Sequence, residues 1–351
     1  MSGRGETRLP IRDRTLGLDG IVRSVRGAGL NNAGLLVLWP LILVAFAIVM
    51  PGSFLKVGTV QAMMFQLPEL GLLSLAMVIP LISGGLNLAI IATSNQAALL
   101  MVWILSTQIP ADADPATMWL WIAAALLAGF VLCVVIGLVT GVLVAVVGVH
   151  PILVTLGTMT LIGGISVFLT RGTTLSGLPE PILFISNGTI GYVPLSFILF
   201  VLVALAAHVL LTRMPLGIRI HMAGSNLLAT RYSGVNTTAV LIWVYVLSSI
   251  LCWMAAVVMM ARFNSAGADF AESYLLITVL AAILGGVDPY GGRGRISGLF
   301  LSLLILQTIA SGFNLLRLSP QLTLACWGLI LLLVIALKRL WEWRTEKWPG
   351  A

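Results

Sequence analysis

Apolar residues in this chain are grouped in long runs, and the shorter segments between them carry most of the polar, charged and turn-forming residues. A helix needs about 20 apolar residues to cross the hydrocarbon layer, where only an internally hydrogen-bonded backbone is stable. About ten runs approach this length, and they cover residues 34–52, 67–83, 87–106, 117–139, 151–170, 194–212, 239–261, 273–287, 296–313 and 320–337. The pattern predicts an all-α integral membrane protein with about ten transmembrane helices.

Composition agrees with lipid as the main solvent. Hydrophobic residues make up 59% of the 351 positions and charged residues only 9%, whereas soluble domains use about 25% charged residues. The three cysteines, Cys133, Cys252 and Cys326, lie in separate apolar runs without a zinc or disulfide spacing, so we interpret them as small core residues. The basic residues are spread over several connecting segments, which does not favour nucleic-acid binding.

The distribution of positive charge predicts the orientation. With the amino terminus in the cytoplasm, all of the 19 Lys and Arg residues fall in cytoplasmic segments except Lys56, Arg171, Arg262 and Arg317. Cytoplasmic connections normally carry such an excess. We therefore predict that both termini are cytoplasmic, with a basic tail at 1–33, a transmembrane domain at 34–338 and a carboxyl-terminal tail at 339–351.

The longest cytoplasmic connection, residues 213–238, predicts a contact with another protein. Within it Ser225 can cap a short helix over residues 227–232, which Gly234 can end. A helix of two turns is marginally stable in water, so we expect it to dock on a cytoplasmic partner. The alternative is an interfacial helix that rests on lipid headgroups. On the other side, the turn-rich segments 111–115 and 172–191 are either contacts for an external partner or plain connectors.

Ionisable residues give little support for an energy source within the chain. No lysine follows a glycine-rich loop of the phosphate-binding kind, so we do not expect the chain to hydrolyse ATP. Glu69 follows Pro68 and is interpreted as a first-turn residue of the second span near the interface. His150 and His208 are interpreted as interfacial residues at helix ends. An ion-coupled secondary transporter of a small polar solute remains the alternative, and a membrane enzyme is disfavoured because no catalytic cluster is present.

Neutral polar residues enter the membrane mainly around the third span. Residues 93–96 are four consecutive polar side chains that point all around a helix, so at least one faces protein or water. Hydroxyl and amide groups suit a neutral hydroxylated solute, whose own hydroxyls need partners, while packing between helices is the alternative role. The predicted pathway residues are Ser83, Asn87, Thr93, Ser94, Asn95, Gln96, Thr155, Thr158, Gln307 and Asn314.

Four segments together resemble the ribose-type sugar permeases of bacterial ABC importers. They are residues 81–89 (LISGGLNLA), 151–160 (PILVTLGTMT), 223–235 (AGSNLLATRYSGV) and 279–298 (VLAAILGGVDPYGGRGRISG). The resemblance covers about residues 55–337. Where the family usually carries an acidic residue followed by leucine and serine after the double glycine, this chain has Asn87, Leu88 and Ala89.

The resemblance implies a permease subunit in the bacterial inner membrane. It implies a pair of permeases, identical or paralogous, two cytoplasmic ATPase subunits that hold ATP and magnesium, and a periplasmic solute-binding protein. This chain would bind no cofactor or metal, and its solute would be a monosaccharide, a polyol or a similar compound, with nucleosides or a signalling molecule compatible with the same machinery. The residues that the resemblance assigns to contact with the ATPase are Gly224, Ser225, Asn226, Ala229, Arg231, Tyr232, Ser233 and Gly234.

Overall fold

Each predicted apolar run lies on a helix. The computed structural model describes the backbone of residues 18–109 and 114–346 and the side chains of residues 34–109 and 114–336. The helices that contain the runs are α1 (Leu18–Val49), α2 (Val57–Ile82), α3 (Ile90–Gln108), α4 (Pro115–Ala145), α5 (Pro151–Thr170), α7 (Leu195–Arg213), α10 (Thr237–Phe263), α11 (Tyr274–Leu284), α12 (Ile296–Leu315) and α13 (Pro320–Glu346).

Within the residues whose side chains are described, seven helices are long and apolar enough to cross a membrane, and the apolar parts of α1, α11 and α13 are shorter. The helical membrane-protein class predicted from the sequence is therefore confirmed. The count of ten crossings and the cytoplasmic location of the termini stay predictions. Residues 110–113, part of one predicted outer connection, lie outside the described residues.

Short elements fill the connections. The helices α6 (Glu180–Asn187), α8 (Pro215–Ser225) and α9 (Leu227–Tyr232) lie between the long ones. Strand β1 (Leu175–Ser176) pairs antiparallel with β4 (Ser265–Ala266), with Leu175 opposite Ala266. Strand β2 (Thr189–Ile190) pairs antiparallel with β3 (Val193–Pro194) in a tight hairpin. Of the three short helices, the sequence predicted only α9.

Helices α2 and α10 form the centre of the bundle. Helix α10 packs on α4, α2 and α3, and α2 also contacts α7, α11 and α12. Glycines allow α4 to approach α10 closely, because a Cβ atom on Gly137 would lie 2.9 Å from the backbone oxygen of Tyr245. The Ser248 hydroxyl of α10 donates a hydrogen bond of 2.7 Å to the Ala76 carbonyl of α2. The centre is therefore held by close helix packing and by a buried polar bond.

The connections gather at two ends of the bundle. One end holds residues 83–89, 146–150, 214–236 and 285–295, and we name it the inner end after the predicted orientation. The outer end holds residues 171–194 and 264–273, which are joined by the β1–β4 pairing and by a 3.0 Å bond from the Leu178 amide to Asn264 Oδ1. Along the chain, successive connections lie alternately at the inner end and at the outer end, as antiparallel neighbouring spans require.

The structure corrects the sequence prediction for Glu69. Helix α2 begins at Val57 and continues through Pro68, so Glu69 is an interior residue of the helix rather than a first-turn residue. Its side chain is fully buried, and Oε1 lies 2.9 Å from Nη1 of Arg262, in the last turn of α10. The polar residues Gln61 and Gln66 broke the apolar run and concealed the true start of the helix.

The structure also corrects the predicted cap of α9. Ser225 is the last residue of α8, and its hydroxyl donates to the His221 carbonyl at 2.9 Å. The cap is Asn226, whose Oδ1 accepts a 2.9 Å bond from the Ala229 amide. Asparagine and serine cap helices about equally well, so the cap lies one residue later than predicted but still supplies a side-chain oxygen to a backbone amide of the first turn. Gly234 has φ of +79°, as expected for the residue that follows the helix.

Candidate functional site

The junction between α2 and α3 is built by small and polar residues. Gly84 adopts φ of +83°, a conformation that favours glycine, and Ser83 donates a 2.7 Å bond to the Pro80 carbonyl. Asn87 is buried and accepts a 3.1 Å bond from the Ala89 amide, while its Nδ2 donates to Ser248 Oγ at 2.9 Å. Asn87 does not cap the third span, because α3 begins at Ile90 with Ala89 as its N-cap residue and without a side-chain cap bond. Its side chain instead holds the turn before α3 and joins that turn to α10.

The polar run of α3 faces protein rather than lipid. Thr93, Ser94 and Asn95 are buried, and Gln96 is half-buried. Asn95 Nδ2 donates to the carbonyls of Ala268 and Phe270 at 2.9 and 2.8 Å, which holds the outer connection onto α3. The Oε1 atom of Gln96 accepts a hydrogen bond from the Ser166 hydroxyl of α5. Of the two roles considered for this run, packing between elements is the one that Asn95 fills.

The remaining predicted pathway residues lie in separate places. The Thr155 hydroxyl lies 3.1 Å from the Leu86 carbonyl, so Thr155 joins Ser83 and Asn87 at the inner junction. Thr158 donates to the Val154 carbonyl of its own helix at 2.8 Å, and Gln307 Nε2 donates to Gln66 Oε1 at 2.9 Å. Asn314 is exposed near the outer end of α12. Within the described residues, the predicted set therefore does not converge on one pocket.

The Glu69–Arg262 ion pair is a candidate that the sequence reasoning missed. Glu69 is completely buried, the Arg262 side chain is 20% exposed, and the Arg262 guanidinium lies 5.1 Å from the centre of the Phe263 ring. Ionisable groups at membrane depth are costly and normally face a partner inside the protein. The available signal was one acidic residue inside an apolar run and one basic residue assigned to the side with few positive charges.

The residues that resemble an ATPase-contact segment form an exposed surface. Gly224 is half-buried, whereas Ser225, Asn226, Ala229, Arg231, Tyr232, Ser233 and Gly234 are exposed. A concave region of about 380 Å³ between α8 and α9 is lined partly by His221, Asn226 and Ser233. The surface is therefore preformed and open toward the solvent at the inner end.

This surface is joined directly to the α2–α3 junction by backbone contacts. The Gly292 amide donates a 2.8 Å bond to the Ile82 carbonyl at the end of α2. A Cβ atom on Gly224 would overlap the same carbonyl and would lie 2.6 Å from the Gly292 nitrogen. A Cβ atom on Gly291 would lie 2.7 Å from Gly84 Cα. Three segments that are distant in sequence thus meet where only glycines fit.

A bundle of long apolar helices with buried polar groups and short connecting helices at its ends defines the class of multi-span helical membrane proteins. The chain belongs to the family described as branched-chain amino acid transport system / permease component, whose family model matches residues 59–335. The match covers α2 almost from its start and runs to the apolar part of α13.

Curated relatives agree with this assignment. The chain is 30% identical over 304 residues to the ribose import permease protein of Bacillus subtilis, which covers 85% of this chain and 90% of the relative. It is 28% identical over 288 residues to the autoinducer 2 import system permease protein of Klebsiella pneumoniae, covering 80% and 83% of the two chains. The corresponding Yersinia enterocolitica protein is 27% identical over 310 residues, covering 85% and 90%.

No solved structure matches the chain. The family and the relatives confirm the resemblance to ribose-type ABC permeases. The chain is a permease subunit of an ABC importer, a transport protein rather than an enzyme, and a multi-pass protein of the bacterial inner membrane.

Proposed function

We propose that this chain forms the pathway for a small hydroxylated solute, such as a monosaccharide or polyol, which an external binding protein delivers. The observation that carries the proposal is the backbone contact of the α8–α9 surface with the α2–α3 junction. An ATPase docked on α8–α9 would thereby act on the polar residues around Asn87. ATP and magnesium would be bound by that ATPase, and a second permease, identical or paralogous, would complete the pathway.

The polar groups of the bundle favour a neutral solute. Within residues 34–109 and 114–336, the structure records one ion pair, Glu69 with Arg262, and these two charges neutralise each other. An amino acid carries two charges that need charged or strongly polar partners when water is removed. The polar side chains buried in the bundle, among them Asn87, Ser94 and Gln307, are mostly neutral hydroxyls and amides, and such surroundings suit a neutral sugar better than a charged amino acid. The names of the ribose and autoinducer 2 relatives support the same choice.

An ion-coupled carrier is the second candidate, and the Glu69–Arg262 pair is the observation in its favour. Carriers commonly place ionisable groups at membrane depth as ion or proton sites. The pair ties α2 to α10, and the Glu69 carboxylate already has a counter-charge in Arg262, so the ATP-driven importer is favoured. Membership of this permease family also favours the ATP-driven importer over the ion-coupled carrier.

The test is uptake by proteoliposomes that contain the permease, its ATPase and its binding protein. We expect uptake of radiolabelled D-ribose or a related sugar only when ATP is present on the ATPase side. Uptake that persists without ATP and stops when the ion gradient is dissipated would instead establish the carrier. Uptake of leucine but of no sugar would overturn the proposed solute class.

The docking surface has a matched pair of tyrosine variants. Tyr232 on α9 and Tyr192 at the outer end are both strongly exposed, at 90% and 74%. We expect Tyr232→Ser to reduce the amount of ATPase that copurifies with the permease, because aromatic side chains contribute strongly to interfaces. Tyr192→Ser should leave that amount unchanged. Equal retention in both variants would remove Tyr232 from the contact.

Orientation is tested by labelling from the two sides of the membrane. Single cysteines at Gly177 and Ser225, in a background without the three native cysteines, should react with an impermeant thiol reagent from opposite sides. Both positions lie in connections, one at the outer end and one at the inner end. Labelling of both from the same side would contradict the predicted topology.

A further inference from the structure

A cavity between α3 and α5 has the composition of a small-molecule site. Its volume is about 390 Å³, and its lining combines several leucines with Gln96, Trp103, Ser166 and Thr170. Small-molecule sites commonly measure about 300–1,000 Å³ and are mostly apolar with a few convergent polar groups. Trp103 lies in the last two turns of α3, Thr170 is the last residue of α5 and Leu175 lies in β1, so the cavity is near the outer end.

The polar side chains of the cavity are ordered by one another and keep unused donors. The Ser166 hydroxyl donates to Gln96 Oε1, and the Thr170 hydroxyl donates to the Ser166 carbonyl at 2.8 Å. Among the described residues, neither the amide nitrogen of Gln96 nor the indole nitrogen of Trp103 has a hydrogen-bond partner. An amide fixed through its oxygen is well placed to donate from its nitrogen.

A second groove of similar size shows what a lipid-facing depression looks like in this protein. It lies between α4 and α10, has a volume of about 480 Å³, and is lined only by aliphatic and aromatic side chains, including Phe130, Trp243 and Ile250. Trp243 and Trp103 are equally exposed, at 51% and 50%. An acyl chain satisfies the α4–α10 groove completely, but it would leave the donors of the α3–α5 cavity without partners.

We propose that the α3–α5 cavity is a binding subsite for a neutral ring solute that carries hydroxyl groups. The inference rests on the proposed function and adds Trp103, Ser166 and Thr170 to the predicted Gln96. The Gln96 amide and the indole nitrogen donate to solute hydroxyls, while the indole ring covers an apolar face of the solute. The lining carries no charged side chain, so a charged solute would find no counter-charge there. The position suits a solute released from an external binding protein.

Protection of an introduced cysteine tests the subsite directly. Leu100→Cys places a thiol in the cavity lining and Ile250→Cys places one in the apolar groove, each in a background with the three native cysteines replaced by alanine. We expect a water-soluble thiol reagent to label Leu100→Cys and not Ile250→Cys. The probes are D-ribose, D-xylose, D-galactose, glycerol and autoinducer 2, and at least one should slow the labelling of Leu100→Cys.

The outcomes separate the subsite from the proposed function. An unreactive Leu100→Cys would identify the cavity as lipid-filled and would overturn the subsite. A probe that the complex transports but that gives no protection would also overturn the subsite while the proposed function stands. If no probe is transported, the proposed solute class fails. In that case protection of Leu100→Cys by any probe still supports the subsite, and the absence of protection by every probe overturns it.

Uptake by variants supplies a second test. Trp103→Leu and Gln96→Leu should each lower the rate of ATP-driven sugar uptake about threefold to tenfold, the effect of losing one hydrogen bond or its equivalent. Trp103→Tyr should restore most of the rate, because it keeps an aromatic face and a donor. Trp243→Leu is the matched control and should leave uptake unchanged. Equal uptake rates for Trp103→Leu and Trp103→Tyr would overturn a role of Trp103 in solute binding. Equal uptake rates for Trp103→Leu and Trp243→Leu would overturn it as well.

Discussion

Helix α2 buries every residue from Leu67 to Ile82 inside the protein, whereas helix α5 buries only Val154, Thr155, Ile162 and Ser166. Both sequences are apolar enough to cross a membrane. Lipid tails and a protein interior are equally apolar, so average hydropathy does not distinguish the two surroundings. Individual residues do distinguish them. Helix α2 contains a buried carboxylate, which needs a partner inside the protein. In α5, a Cβ atom added to the glycines at 157, 163 and 164 would meet nothing within 4 Å, so these glycines do not face another helix closely.

The largest difference in stability between substitutions in α2 and substitutions in α5 should come from the Glu69–Arg262 ion pair. Glu69→Leu leaves the Arg262 guanidinium without its partner, and breaking a buried pair in this way typically costs about 3–5 kcal/mol. The double variant Glu69→Leu/Arg262→Met removes both charges and should recover most of the loss. Phe168→Ala on the exposed face of α5 should change stability by less than about 0.5 kcal/mol.

Thermal unfolding of the purified permease in detergent measures all three variants. A Glu69→Leu protein as stable as the wild type would mean that the pair does not hold α2 to α10. A double variant no better than the single one would show that the carboxylate has a role apart from its arginine.

Matched glycines sharpen the comparison. A Cβ atom on Gly71 of α2 would collide with the ring of Phe200, which is itself stacked on Phe300, whereas one on Gly163 of α5 would meet nothing within 4 Å. Gly71→Ala should therefore destabilise the permease by about 1–3 kcal/mol through overpacking. Gly163→Ala should be neutral or stabilising by up to about 1 kcal/mol, because alanine is the better helix former. Apparent melting temperatures of the two variants give the comparison, and equal shifts would refute it.

Substitutions near the starts of α3 and α5 should also differ in their cost to stability, with the buried residue near α3 costing more. Asn87 is buried and bonds both the Ala89 amide and Ser248, whereas His150 at the start of α5 is exposed and accepts a long bond of 3.4 Å from the Ile152 amide. Asn87→Leu leaves these groups unsatisfied and should cost about 1–3 kcal/mol, together with transport. His150→Ala should cost less than about 1 kcal/mol.

Asn87→Asp separates support of the turn before α3 from transport at the same position. The aspartate keeps the acceptor for the Ala89 amide and loses the donor to Ser248. We expect a smaller loss of stability than in Asn87→Leu, with transport altered. Stability is read from thermal unfolding and transport from uptake by proteoliposomes. Wild-type behaviour of the Leu variant in both assays would show that Asn87 is a passive residue.

The smallest difference in stability is expected between two glycines at the inner end. Gly234, after α9, and Gly148, before α5, both have φ of +79° and no atoms within 4 Å of an added Cβ. Alanine at either position should cost about 1–2 kcal/mol of backbone strain. Only Gly234→Ala should weaken retention of the ATPase, because only Gly234 belongs to the proposed docking surface. Equal retention in a copurification assay would contradict that assignment.

Local signals in the sequence were sufficient for the helices and for some caps. The ten apolar runs all lie on helices, a capped helix follows within one residue of the predicted cap at Ser225, and Gly234 adopts the expected positive φ. These features depend on residues within a few positions of one another. The one-residue error at Ser225 arose because asparagine and serine cap equally well, so composition could not choose between neighbours.

Contacts between distant segments could not be predicted in this way. The pairing of Glu69 with Arg262 and the bond between Gly292 and Ile82 each join the first third of the chain to the last. A single sequence contains no signal for such pairings unless the charges stand out. Pro68 suggested a helix start, which would have placed Glu69 near the membrane interface. Gly224 and Gly291 likewise resemble ordinary turn residues until their neighbours are known.

The distance in sequence between Glu69 and Arg262 has a consequence for biogenesis. Helix α2 leaves the ribosome well before α10, and roughly 190 residues correspond to about 10–40 s at ~5–20 residues per second. Throughout that interval the carboxyl group has no arginine, and an unpaired ionisable group in lipid is costly. Until α10 is present, the Glu69 carboxyl therefore has to be protonated or to stay near the polar surface of the membrane. A nascent chain that stops short of Arg262 would contain helix α2 with an acidic residue that has no Arg262 partner.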